Sequence, residues 1–145
     1  MLIIQEIITE VIKEVIKELI KAEMFDIIGS IKALSYDEAS NKKSITTLVN
    51  KVIDKYVSPM LQSVTRKAAE QYIEKTDTML LIADAVEGFL EQEEETVKQY
   101  IGELNEAVGN YISTLKESGE EGINDKIQVL VDLQGKIKAK MKELF

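Results

Sequence analysis

The chain has 145 residues with 18 bases against 26 acids, a formal net charge of −8, and no Cys, His or Trp. Without Cys there are no disulfides, thiolate metal sites or cysteine nucleophiles; without His the usual neutral-pH acid/base, the triad base and the Glu-x-x-His ligands of helical di-iron sites are gone. One Pro, seven Gly, abundant Ile, Leu, Lys and Glu and no strand alternation point to a single all-α domain over 1–145, a bundle of about five helices with a long N-terminal helix.

Residues 1–22 repeat an apolar pair every four positions, Ile3-Ile4, Ile7-Ile8, Val11-Ile12, Val15-Ile16 and Leu19-Ile20, with Glu and Lys between them. Four residues advance an α-helix by about 400°, so each pair lies about 40° beyond the last and the stripe turns through about 160°. That drift is opposite in hand to a heptad seam, and no single straight partner can cover it. The opposing i,i+3 and i,i+4 charge pairs roughly cancel, at a few tenths of a kcal/mol each, so packing must hold this helix. It is expected over 2–22, or over 2–34 with a bend or break at Gly29-Ser30, as either the central element of the bundle or an oligomerisation element that makes the main subunit contact. Ile4, Ile8, Val11, Ile12, Val15, Ile16 and Leu19 are the candidate association residues.

Ser35 to Ser44 is polar and aperiodic and reads as a loop, with at most one helical turn at Tyr36 to Ser40. Ser44 is then expected to cap a helix carrying Ile45, Leu48, Val49, Val52, Ile53 and Tyr56. Ser58-Pro59 has the form of a cap followed by Pro at the first helical position, opening a helix that presents Met60, Leu61, Val64, Ala68, Tyr72 and Ile73. A single kinked helix from Ser44 to Lys75 is the alternative. Thr76-Asp77-Thr78 is the next start signal, and the chain then looks helical from Met79 to Leu115 with a questionable join at Glu91 to Glu95. Within it Val97, Ile101, Leu104, Val108, Tyr111 and Leu115 form a heptad seam suited to a left-handed bundle. Ser118 to Gly122 ends that helix. Asn124 or Asp125 caps a final one with Ile127, Leu130, Val131, Ile137, Met141 and Leu144 on its apolar side and lysines near its C-terminus, where they complement the helix dipole.

Charge is unevenly distributed: residues 1–67 carry +1, residues 68–125 carry −12 and residues 126–145 carry +3. An acidic middle, a basic tail and a single guanidinium at Arg66 argue against direct nucleic-acid binding, which calls for a basic stripe. The acidic surface instead suits an inhibitor or nucleic-acid mimic that occupies a basic cleft of a partner protein. Glu91-x-x-Glu94 with Glu103-x-x-Glu106 resembles the paired Glu-x-x-Glu and Glu-x-x-Asp motifs by which helical nucleotide pyrophosphohydrolases bind Mg²⁺. That resemblance implies a Mg-dependent all-α phosphohydrolase. The two pairs are too close in sequence for antiparallel helices, the second ends in Glu, and no basic residue stands by to hold the substrate phosphates that Mg²⁺ wants.

Gly102 and Gly109, seven apart inside a helix, suggest close approach by another helix; Tyr56, Tyr72, Tyr100 and Tyr111 read as core rings with hydroxyls at the rim. The acids and bases that interrupt the N-terminal stripe leave neither a signal peptide nor a membrane span, and its balance of Glu and Lys is unlike a membrane-surface helix. An intracellular, soluble protein is expected, from a heat-adapted or AT-rich source to judge by seventeen Lys against one Arg. The reading is a non-enzymatic structural or protein-interaction module that forms a homo-oligomer or binds a partner protein, with no catalytic residue, metal or cofactor.

Overall fold

The structure is a computed structural model and describes residues 23–145. The described chain is an all-α bundle of six helices: α1 (Met24–Lys32), α2 (Glu38–Tyr56), α3 (Pro59–Lys75), α4 (Thr78–Leu90), α5 (Glu94–Ser118) and α6 (Ile123–Leu144). The helix expected over 2–22 lies outside the described residues. Among those described, Glu23 has a non-helical backbone (φ −125°, ψ 41°), so α1 has its own start. No bend occurs at Gly29-Ser30: Ala33 N–H still reaches Gly29 O at 3.2 Å, and Ile27, Ile28, Ile31 and Leu34 stay buried together.

Three boundaries differ from the sequence reading, each for a local reason. α2 begins six residues before Ser44, because Asp37 Oδ1 accepts from Ala39 N–H at 3.2 Å and caps the helix there. Its first turns carry no apolar repeat; they are held by Asn41, which is buried and bonded both ways to Ser35, accepting from its N–H at 2.9 Å and donating to its carbonyl at 2.7 Å. The stretch from Met79 to Leu115 is two helices, not one. Glu93 is extended (ψ 142°) within an acidic run that offers no apolar side chain to continue the packing of α4, so the chain turns and Val97 is buried afresh on α5. That split adds one helix, and the described residues hold six against the about five expected over the whole chain. α6 starts at Ile123 after Gly122, without a side-chain cap from Asn124 or Asp125. Gly119 (φ 65°) and Gly122 (φ 76°) both take the left-handed conformation, which favours glycine at this reversal.

The break at Pro59 is present, so α2 and α3 form a hairpin and not one kinked helix. α1, α4, α5 and α6 enclose the larger core, centred on Phe89, Ile101, Leu104, Val108, Leu130 and Ile137. All six heptad residues of α5 are buried in it. The α2–α3 hairpin has a smaller core of its own, Val49, Ile53, Ala69 and Ile73, closed from below by Leu81 of α4. No described helix is long and apolar enough to cross a membrane.

Candidate functional site

The seven association residues Ile4, Ile8, Val11, Ile12, Val15, Ile16 and Leu19 lie outside the described residues. Glu23 Oε1 accepts from Lys55 Nζ at 2.6 Å and from Tyr56 OH at 2.9 Å, both in the last turn of α2. These two donors hold the Glu23 carboxyl below its ordinary range, and the Glu23 carboxylate in turn raises Lys55. Asp26, one turn further, pairs with Lys51 at 3.6 Å. α1 therefore runs antiparallel to α2.

The first turns of α3 carry three exposed apolar side chains close together in sequence. Met60, Leu61 and Val64 are 88%, 57% and 71% exposed, while Ala69 and Ile73 are buried against α2. The sequence reading put Met60, Leu61 and Val64 on one apolar face with Ala68, Tyr72 and Ile73, and the structure corrects this. Residues 60, 61 and 64 lie about 80–180° round the helix from residue 69 at 100° per residue. The side turned to α2 includes Gln62 and Arg66 instead: Gln62 Nε2 donates to Val57 O at 3.0 Å, and Arg66 forms an ion pair with Asp54. The signal was present in the width of the apolar arc, which exceeds what one neighbouring helix covers. Tyr56 also departs from its expected core position, with its ring half exposed and Lys55 Nζ 5.4 Å from the ring centre.

Below the hairpin, Ile27, Ile45, Val52, Tyr72, Ile73 and Ala85 help line a narrow apolar groove between α1, α2, α3 and α4. At its rim Tyr72 OH donates to Asp84 Oδ2 at 3.0 Å.

The other concentration of chemistry is a polar cluster where four elements meet. Glu38 Oε1 accepts from Thr78 N–H at 2.8 Å and from the Thr78 hydroxyl, so a residue of α2 caps the N-terminus of α4. Thr78 is fully buried, and the bond from its N–H satisfies a donor that has no partner within its own helix. Lys126 Nζ of α6 lies 3.6 Å from Glu38 Oε2. Burial pushes the Glu38 carboxyl up, but the Thr78 bonds and the Lys126 and Lys42 charges outweigh it and hold the group below its ordinary value. Tyr111, beside Asn41, is pushed well up by burial and by the nearby Glu38 and Asp77 charges, so its phenol stays protonated. The cluster is satisfied internally. Its evident work is to join α2, α4, α5 and α6.

The acidic residues singled out in the sequence are dispersed. Glu91 and Glu94 flank the α4–α5 turn, whereas Glu103 and Glu106 stand exposed further along α5. Among the described residues no three acids come together in a group able to hold a metal ion. Gly102 and Gly109 also part company. A Cβ at Gly102 would meet nothing within 4 Å, whereas one at Gly109 would lie 3.1 Å from Gln134 Nε2, so close approach holds for Gly109 alone.

Compared with known proteins, the chain matches no family model, no curated protein and no solved structure.

Proposed function

We propose that the protein is a non-enzymatic helical-bundle module that works by protein–protein contact inside the cell, and that it self-associates through Ile4, Ile8, Val11, Ile12, Val15, Ile16 and Leu19. One observation carries the reading. Residues 1–22 bring ten aliphatic side chains in paired array, whereas the exposed large apolar residues that cluster on the described bundle are Met60, Leu61 and Val64 with Tyr56 nearby. The bundle offers too little open apolar surface to bury ten such side chains, each of which contributes very roughly 1.5–3 kcal/mol when removed from water. A second chain supplies the rest.

Sedimentation of the full chain at low micromolar concentration tests this. A dimer or larger species is expected, converted to monomer by Ile4→Asp together with Ile8→Asp. A parent chain that sediments as a clean monomer would overturn the proposal.

A further inference from the structure

The groove beneath the α2–α3 hairpin has a lopsided lining. Its walls are aliphatic side chains from four helices, Ile27, Ile45, Val52, Ile73 and Ala85 among them, and the polar side chains in its described lining are Ser30, Tyr72 and Asp84. Asp84 alone is charged. It faces the groove together with Leu81, one turn earlier on α4, and with Ala85 beside it. Tyr72 OH donates to Asp84 Oδ2 at 3.0 Å, and the carboxylate takes part in none of the ion pairs among the described residues.

The groove has a volume of about 60 Å³. At about 10–15 Å³ for each water-sized group, that is room for about four to six of them. Water itself is poorly suited, since each molecule needs about two to four polar partners and the aliphatic walls supply none. A short hydrocarbon chain suits those walls. Asp84 is half-buried at the rim, where a carboxylate loses part of its hydration and gains most from a cation that hydrogen-bonds to it.

We infer that this groove binds an aliphatic primary ammonium of about four to six carbons, with its alkyl chain between the hairpin and α1 and α4 and its charged head on Asp84. Tyr72 engages Oδ2 and leaves Oδ1 to accept from the ligand. A second charge at the far end of the ligand would lie among aliphatic side chains, so a diamine binds less well than a monoamine. The site is built within one chain and stands whether or not the protein self-associates.

Methyl NMR of the full-length protein titrated with n-pentylamine at pH 7 tests this. Saturable shifts are expected at the methyls of Ile27, Ile31, Ile45 and Ile73, with Ile101 and Ile137 of the larger core unmoved. Pentan-1-ol and 1,5-diaminopentane should each bind at least about fivefold more weakly than the amine. Asp84→Asn keeps an acceptor for Tyr72, and should weaken the amine at least about fivefold while leaving the alcohol unchanged. Ala85→Leu fills the groove and should abolish binding of both; if that variant does not fold, Asp84→Asn carries the test. The absence of a saturable shift at about 10 mM amine would overturn the inference, as would equal affinity of the amine for the parent and Asp84→Asn. Groove methyls that ignore the amine yet move with protein concentration would make a second copy the occupant, which overturns it too.

Discussion

The two helix pairs α5–α6 and α2–α3 are alike in outline and held by different forces. Between α5 and α6 the contact is mainly apolar, with Leu104, Val108, Leu130 and Ile137 all without exposed surface and the Gln134 amide against Gly109, and α1 and α4 close over it. The α2–α3 hairpin has a narrower apolar strip, and polar groups share the work of attaching it. Lys42 Nζ donates to Glu74 O at 2.6 Å across the hairpin, Arg66 pairs with Asp54, and Lys51, Lys55 and Tyr56 reach the acids of α1. Asn50 Oδ1 and Arg66 Nε are buried there without a hydrogen-bond partner among the described residues. Exposed ion pairs contribute little, typically under about 1 kcal/mol, so the hairpin is expected to open at lower free energy than the four-helix core.

The comparison breaks most readily at the two cores. Phe89→Ala should cost about 3–5 kcal/mol and lower hydrogen-exchange protection in all helices together, because the side chain is fully buried where α4 meets the main core. Ile73→Ala should cost about 2–4 kcal/mol and lower protection in α2 and α3 first. Uniform loss in both variants would mean that the hairpin and the core unfold as one unit.

Glu38 joins the two regions and gives a smaller, pH-dependent effect. Its carboxyl is held below the ordinary value of 4.5, so its contribution is present above that pH and is lost as pH falls through the folded value. Glu38→Gln keeps an acceptor for Thr78 but removes the charge. With the group partly exposed, a loss of at most about 1 kcal/mol is expected at pH 7, read from urea midpoints, and the gap from the parent should close below pH 4.5. A gap that stays constant with pH would show that the carboxylate charge is not what fastens α2 to α4.

The smallest effect sharpens the account of α5. Gly102→Ala should stabilise by about 0.5–1 kcal/mol, since the position is inside the helix and the added methyl meets open space. Gly109→Ala should gain less, because Gln134 must swing aside. Equal gains in thermal unfolding would place Gln134 away from Gly109 in solution.

Much of the helical layout was legible because it rests on local signals. The heptad of α5, the Ser58-Pro59 break and the glycines that end α5 each act within a turn or two of their own position. Other features lacked a local signature. The first turns of α2 are polar, and their hold comes from Asn41 bonding back to Ser35 and from Glu38 reaching Thr78, forty residues away. The start signal at Thr76-Asp77-Thr78 marked the right place, but Asp77 makes no side-chain cap and the acceptor arrives from α2. The candidate association residues of 1–22 were legible as a pattern, whereas the flank at Leu61 and Val64 was not, because it had been merged with the buried face of α3.

By itself the sequence determined the fold class, the rows of side chains that need burial and the exclusion of cysteine and histidine chemistry, since composition and helical periodicity are properties of each segment alone. Only the tertiary structure decided which part of a wide apolar arc is covered, which acid caps α4 and where the chain reverses at Glu93. Those outcomes depend on what stands opposite. An arc broader than one neighbour can cover leaves a remainder, and on α3 that remainder is Met60, Leu61 and Val64.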